Sequence, residues 1–241
     1  MRIGKANIRL MANYVLVHGG FCRSWIWDDT AKALNDGGHR VKAVDLPSCG
    51  ENPAASGGLQ DDVDTVRRAI DASGPGTVLV GHSAYGFVLT ELADHPAIQH
   101  SVYVAALHPE PGQSIADMLG QIPEWLVLSP QEGVVRVSDN PAVVRQALCA
   151  DVDEDRFLRE VFPRFVPSSL AVMAAPASAP APGHKTTYVI CEEDQAIPVA
   201  AQQAMSARSD RVERLPSSHN PMLSMPERLA QVLETTAARD R

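Results

Sequence analysis

The 241-residue sequence has only four cysteines, and they follow no pattern that would pair them or hold a metal. Cys22, Cys49, Cys149 and Cys191 are scattered, with no C-x-x-C pair and no clustering with histidines. We therefore expect neither a disulfide framework nor a metal site. Free thiols fit a reducing compartment, so the expected location is the cytoplasm.

Long apolar runs and basic clusters are also missing. No segment approaches the roughly 18 apolar residues that a membrane-spanning helix requires. The formal net charge is -8, and no basic run offsets it, which argues against membrane and nucleic-acid partners. The start of the chain has no apolar core with a small-residue cleavage site, so no signal peptide is expected. Met11 is expected to be the true start, with residues 1–10 as an extension.

The sequence does contain a repeated strand–turn–helix rhythm. Apolar, β-branched segments alternate with segments of helical spacing; the strand-like ones are NYVLV, HRVKAV, TVLVGH, SVYVAA, KTTYVIC and RVERL. This alternation predicts the α/β class, with a mainly parallel central sheet and helices on both faces. TVLVGH is almost wholly apolar, which is typical of a central parallel strand.

The rhythm breaks between residues 110 and 183. The stretch contains helix-like pieces and ends in AAPASAPAPG, a Pro- and Ala-rich segment that predicts a semi-rigid linker. We predict a core formed by residues 11–109 and 184–241. Residues 110–183 are predicted to be a helical lid inserted over the C-terminal edge of the sheet, where such sheets bind ligands.

The segment VLVGHSAYGF places Ser83 on a sharp turn between an apolar strand and a helix. Such a turn presents a hydroxyl above the sheet, beside the backbone N–H groups at the start of the helix. A serine that only caps a helix has the same local pattern. The turn by itself therefore leaves both roles open.

Two later residues follow strands in the chain order Ser…Asp…His that a nucleophilic serine on this architecture requires. Asp194 comes after TYVICEE, and His219 lies in the loop after RVERLPSS. Asp194 alone could be an ordinary helix cap, and His219 alone could be an ordinary loop residue. Glu192 and Glu193 are alternatives to Asp194 for the role of the acid. The combination predicts Ser83 as nucleophile, with a histidine base and an acid that orients it.

The segment LVHGGFCRSW supplies a turn whose backbone N–H groups can stabilise an oxyanion. We predict that Gly20 and Ala84 form the oxyanion hole, with Phe21 next in line for the first position. His18 is expected to hold the turn rather than to act in catalysis.

In order and spacing these residues resemble the α/β-hydrolase superfamily, from Asn13 to the last helix. The segments YVLVHGGFCRSWIWDD, VYVAALHPEPGQSIADML, YVICEEDQAIP and SHNPMLSMPERLA are similar to a bacterial esterase-like branch related to plant methyl esterases and hydroxynitrile lyases. The resemblance implies an α/β-hydrolase fold with a helical lid, no cofactor, and the triad Ser83, Asp194 and His219.

The same resemblance distinguishes hydrolysis from cyanohydrin cleavage. Hydroxynitrile lyases of this branch carry threonine after the first-strand histidine and lysine after the catalytic histidine, and the lysine stabilises departing cyanide. Gly19 and Asn220 occupy those positions here. The resemblance therefore favours a hydrolase.

Tyr85 departs from the pattern, because glycine is usual two residues after the nucleophile. A tyrosine must find room in a strained turn. We expect its ring to fill space beside the turn, and the alternative is a hydroxyl that borders the substrate pocket.

The predicted reaction is hydrolysis of a small-molecule carboxylic ester or lactone, small to medium in size and apolar, through an acyl-enzyme. A cofactor-free lyase or natural-product tailoring enzyme, and a ligand-binding protein with weak turnover, remain alternatives on the same scaffold. The predicted pocket residues are mostly apolar or aromatic: Phe21, Tyr85, His108, Leu119, Ile122, Trp125, Leu126, Phe157 and Phe162. For His108, a helix-cap or core role is the alternative.

Overall fold

The computed structural model describes residues 11–238, and the predicted extension of residues 1–10 lies outside them. Six strands form a central sheet in which all neighbours are parallel, as the sequence predicts. The strands are β1 (Asn13–Val17), β2 (Arg40–Val44), β3 (Thr77–His82), β4 (Ile98–Val104), β8 (Lys185–Cys191) and β9 (Arg211–Leu215). Their order across the sheet is β2-β1-β3-β4-β8-β9.

The central position of β3 decides where the candidate site forms. This strand pairs with β1 on one side and with β4 on the other, and it is buried along its whole length. Because all six strands run in the same direction, their carboxyl ends open on one edge of the sheet. The turns that follow β1, β3, β8 and β9 therefore meet at that edge.

Helices cover both faces of the sheet and create two core layers. Along β1, Tyr14 and Leu16 face one layer, and Val15 and Val17 face the other. The first layer lies under α1 (Asp28–Asp36) and α11 (Pro226–Ala238), and the second lies under α3 (Leu59–Ser73), α4 (Gly86–Glu91) and α9 (Val199–Ser206). The short helices α2 (Pro53–Ser56) and α10 (Pro221–Ser224) complete the core. Within residues 11–238, no helix has the length and apolarity to cross a membrane.

The segment from 110 to 183 is not purely helical, which corrects one part of the lid prediction. It contains α5 (Ile115–Leu119), α6 (Pro141–Leu148), α7 (Glu154–Arg156) and α8 (Leu170–Ala174), together with an antiparallel sheet of β5 (Leu126–Ser129), β6 (Val134–Val137) and β7 (Ser168–Ser169). The β5–β6 hairpin turns through PQEG, where Gly133 has φ +68°. Apolar residues on either side of a glycine-containing turn are a hairpin signal, and helical spacing alone does not reveal it.

Hydrogen bonds attach this inserted segment to the core beside β1 and β2. The Val166 N–H donates to the carbonyl of Phe21 at 2.8 Å, and the Ser169 N–H donates to the carbonyl of Ser48 at 2.8 Å. Ser168 consequently lies between the loop after β1 and the loop after β2.

Candidate active site

Ser83 occupies the sharp turn between β3 and α4 with φ +56°, in the left-handed region. A residue with a side chain adopts this conformation only when its surroundings enforce it. The Leu107 N–H donates to the Ser83 carbonyl at 2.9 Å and holds the turn. Gly86 allows α4 to approach closely, since a Cβ there would collide with the carbonyl oxygen of Leu107.

The structure brings Ser83, His219 and Asp194 into one hydrogen-bonded row. The Ser83 Oγ lies 2.8 Å from His219 Nε2, and His219 Nδ1 lies 2.7 Å from Asp194 Oδ2. Both His219 and Asp194 are buried. A carboxylate at Nδ1 selects the tautomer that carries its proton there, so Nε2 is free to accept the proton of the serine.

Asp194 is held by three further donors. The N–H groups of Ala196 and Ile197 donate to Oδ1 at 2.8 and 3.0 Å, and Gln202 Nε2 donates to Oδ2 at 2.8 Å. These bonds fix the orientation of the carboxylate and satisfy its lone pairs.

The competing acids lie elsewhere. Glu192 forms an ion pair with Arg214 at 3.4 Å, and Glu193 is exposed. Asp194 is therefore the carboxylate that contacts the imidazole of His219.

Two residues that the sequence analysis did not assign fix the backbone around His219. His82 Nε2 donates to the His219 carbonyl at 2.9 Å, and burial holds the pKa of His82 well below its usual value, so this ring is neutral. The Ser218 N–H donates to the carboxylate of Asp151 at 3.0 Å. His82 directly precedes Ser83 in the sequence, which is a signal for it, whereas Asp151 comes from the inserted segment without a local signal.

Gly20 and Ala84 both border the space in front of Ser83. The other candidate donor, Phe21, uses its N–H to bond Ser168 Oγ at 3.0 Å, which favours Gly20 for the first oxyanion position. Phe21 has φ +65°, so this turn is strained as well.

His18 has the supporting role expected of it. Its Nε2 accepts a hydrogen bond from the Leu46 N–H at 3.1 Å and so connects the turn after β1 to the loop after β2. Burial lowers the pKa of His18 to about 4, so the ring is neutral near pH 7 and can accept this bond.

A cleft bordered mainly by apolar side chains lies in front of Ser83. Besides Ser83, the residues in its wall that carry hydroxyl groups are Tyr85, Ser168 and Ser169. Such a lining suits an apolar ligand. Five residues predicted from the sequence border it: Phe21, Tyr85, Leu119, Trp125 and Leu126.

Four residues predicted for the pocket lie outside it. His108 stacks on Tyr103 with ring centroids 4.2 Å apart, because the chain turns after Leu107 and only Leu107 faces the cleft. Ile122 is 45% exposed. Phe157 and Phe162 pack against each other, with centroids 5.7 Å apart, in the core layer under α11, so hydrophobic burial rather than substrate contact explains them.

The ring of Tyr85 is buried at the base of the cleft, and its hydroxyl has internal partners. The phenol oxygen lies 2.6 Å from Ser48 Oγ and 3.1 Å from Cys49 Sγ. Burial raises the pKa of Tyr85 well above its usual value, so the phenol keeps its proton. These contacts favour the packing role over a hydroxyl directed at the substrate.

The described part of the chain contains no group of three or more histidine, cysteine, aspartate or glutamate side chains arranged to hold a metal ion. The cleft itself is bordered by apolar side chains and hydroxyl groups rather than by ionisable ones that would coordinate a cation.

The chain belongs to the family described as "Alpha/beta hydrolase family", which it matches over residues 14–232. It is 29% identical to polyneuridine aldehyde esterase of Rauvolfia serpentina over 270 residues, covering 95% of this chain and 96% of that protein. It is also 39% identical to a carbendazim hydrolyzing esterase of a Nocardioides strain over 115 residues, covering 45% of this chain and 48% of the relative.

Solved structures share the fold. A pyrethroid hydrolase from Sphingobium faniae superimposes with a TM-score of 0.83 at 22% identity, covering 95% of this chain and 98% of that one. Together with the family match, these relatives make the chain an enzyme of the α/β-hydrolase type, among homologues named as esterases and hydrolases.

Proposed function

We propose that this protein hydrolyses carboxylic esters or lactones of small to medium apolar molecules, with Ser83 as the nucleophile. The observation that carries the proposal is the hydrogen-bonded row from Ser83 through His219 to Asp194, with its serine end opening into the apolar cleft. A nucleophile, a base and a group that orients the base are the three parts that covalent acyl transfer needs.

The reaction proceeds in two halves. His219 Nε2 takes the proton of Ser83 as Oγ attacks the carbonyl carbon, and the carbonyl electron pair moves to an oxygen held by the N–H groups of Gly20 and Ala84. The C–O bond then breaks, and the leaving alcohol receives the proton from His219. Water repeats the sequence on the acyl-enzyme and releases the acid, while Asp194 keeps the imidazolium oriented and stabilised throughout.

Two positions argue against the lyase alternative. Asn220 is buried, and its side-chain amide donates to the Leu148 carbonyl at 2.8 Å, so no cation stands beside His219 at this place. At Gly19 an added Cβ would lie 2.9 Å from the Cβ of Ser83, which leaves no room for threonine without a shift. We expect no release of cyanide from an aromatic cyanohydrin above background; Ser83-dependent release would favour the lyase instead.

The names of two relatives support the proposed activity, and the state of the thiols supports a cytoplasmic location, which we also propose. Polyneuridine aldehyde esterase and methylesterase 9 of Arabidopsis thaliana both carry ester cleavage in their names. All four cysteines are buried and unpaired, which suits a reducing compartment such as the cytoplasm.

A panel of p-nitrophenyl esters from acetate to octanoate tests the proposal against the ligand-binding alternative. We expect the wild-type protein to turn over at least the shorter esters and Ser83→Ala to lose turnover while it keeps its melting temperature. Binding without turnover in the wild type, or a wild-type rate in Ser83→Ala, would contradict the proposed function.

A further inference from the structure

A second row of buried polar groups runs from the turn after β1 to a carboxylate in α3, apart from the triad. Its links are Phe21 N to Ser168 Oγ (3.0 Å), Ser168 Oγ to Cys49 Sγ (3.2 Å), Cys49 Sγ to the Tyr85 hydroxyl (3.1 Å), that hydroxyl to Ser48 Oγ (2.6 Å), and Ser48 Oγ to Asp62 Oδ2 (2.6 Å). We call these residues the Asp62 chain.

The two ends of the Asp62 chain fix the direction of every hydrogen bond in it. A backbone N–H only donates, and an ionised carboxylate only accepts. Because Ser48 gives its one proton to Asp62, Tyr85 must donate to Ser48. Cys49 then donates to Tyr85, and Ser168 donates to Cys49.

The protonation states along the row agree with this assignment. Burial raises the pKa of the Cys49 thiol and that of the Tyr85 phenol, so both keep the proton that they donate. Burial also raises the pKa of Asp62, to about 6, while its bonds from Ser48 oppose that rise. At pH 7 and above, Asp62 is the acceptor at which the row ends.

The other end of the row acts on the turn that carries the oxyanion donor. The inserted segment holds Phe21 on both sides: Ser168 Oγ accepts its N–H, and its carbonyl accepts the Val166 N–H at 2.8 Å. Phe21 has φ +65°, a conformation that its surroundings must enforce. The preceding Gly20 has no side chain to restrict its own backbone.

We propose that Ser168 is a positioning residue whose hydroxyl, oriented by the Asp62 chain, fixes the Gly20–Phe21 turn so that the Gly20 N–H points at the developing oxyanion. The proposal rests on the ester hydrolase function proposed above. Donors fixed before the reaction stabilise the oxyanion without reorganisation, so loosening this turn lowers kcat and leaves ground-state binding in the apolar cleft intact.

The test compares the wild type with Ser168→Ala and with the matched control Ser101→Ala. Ser101 is a buried serine outside the site, whose Oγ lies 2.7 Å from His184 Nε2. For each protein we would measure kcat and KM on the best ester, together with Ki for an aryl trifluoromethyl ketone. A serine nucleophile adds to the carbonyl of this inhibitor, which places an oxyanion in the oxyanion hole. Ser168→Ala should lower kcat by about 10- to 100-fold, leave KM within about twofold, and raise Ki by the same factor as kcat falls.

Unchanged kcat and Ki in Ser168→Ala, or an equal loss in Ser101→Ala, would overturn the proposal. If Ser168→Ala does not fold, Ser168→Cys replaces it, because a thiol fills the space but accepts hydrogen bonds weakly. Wild-type kcat and Ki in Ser168→Cys would also overturn the proposal. A wild type that cleaves no ester refutes the proposed function, whereas cleavage with unchanged kcat and Ki in the serine variants refutes only the role of Ser168.

Discussion

Two buried carboxylates, Asp194 and Asp62, differ in what their hydrogen bonds connect. Asp194 follows β8 and contacts the imidazole of His219 directly at 2.7 Å. Asp62 lies in α3, is bonded by the N–H and the hydroxyl of Ser48 at 3.0 and 2.6 Å, and reaches the cleft only through intervening side chains. In the roles that we propose, Asp194 therefore acts on the chemistry and Asp62 acts on the shape of the site.

The largest expected effect lies on the Asp194 side. Asp194→Asn keeps the size of the side chain but loses the charge and the tautomer selection that the imidazole needs, so kcat should fall by roughly 10⁴. Ester kinetics at saturating substrate measure this loss.

Glu193→Gln is the matched control, since the neighbouring carboxylate is exposed. Its kcat should stay close to that of the wild type. If the control lost activity and Asp194→Asn kept it, the acid that orients His219 would be Glu193 rather than Asp194.

On the other side, Tyr85 should affect stability more than the reaction of Ser83. Tyr85→Gly removes a buried ring and adds chain entropy in the unfolded state, so the free energy of unfolding should fall by about 2–5 kcal/mol. Ser83 should still react with a fluorophosphonate. Urea unfolding and the labelling rate check the two halves of this prediction.

Tyr85→Phe separates the ring from the hydroxyl. It leaves Cys49 without an acceptor and Ser48 without a donor, which should cost about 1–3 kcal/mol. Wild-type stability combined with lost turnover would instead place the phenol among the groups that contact the substrate.

The pH dependence of stability tests whether Asp62 is a desolvated carboxylate. Burial raises its pKa to about 6 from 3.8, so between these values the folded protein holds a proton that the unfolded chain has lost. The contribution of Asp62 to stability therefore falls as the pH rises through this window. Because Asp62→Asn cannot titrate, its stability relative to the wild type should rise by about 2 kcal/mol from pH 4 to pH 7.

Urea unfolding of both proteins at the two pH values makes this measurement, and the titrations of groups that do not interact with Asp62 cancel in the difference. A difference that stays flat or falls with pH would mean that Asp62 is not a desolvated carboxylate.

The same comparison separates what the sequence could predict from what it could not. Ser83, Asp194 and His219 each follow a strand, and parallel strands bring their carboxyl ends to one edge, so local pattern and fold class suffice to bring them together. Ser48 and Asp62 carry no such signal. In the sequence, Asp62 is one polar residue of an amphipathic helix, and its role depends on where that helix packs.

Contacts between distant segments explain the remaining differences. Ser168 belongs to a small antiparallel sheet that helical spacing did not predict, and it contacts Cys49, 119 positions away in the chain. The place of His108 after β4 predicts a pocket residue, but its ring stacks on Tyr103 instead. Such outcomes depend on packing geometry rather than on periodicity.

Covalent labelling tests the central claim, that Ser83 is an activated nucleophile, most directly. The wild type and Ser83→Ala would be incubated with a fluorophosphonate and compared by intact mass and peptide mapping. We expect one adduct in the wild type, located on the peptide that contains Ser83, and none in the variant. Full ester turnover without an adduct on Ser83, or an adduct that persists in Ser83→Ala, would contradict the account.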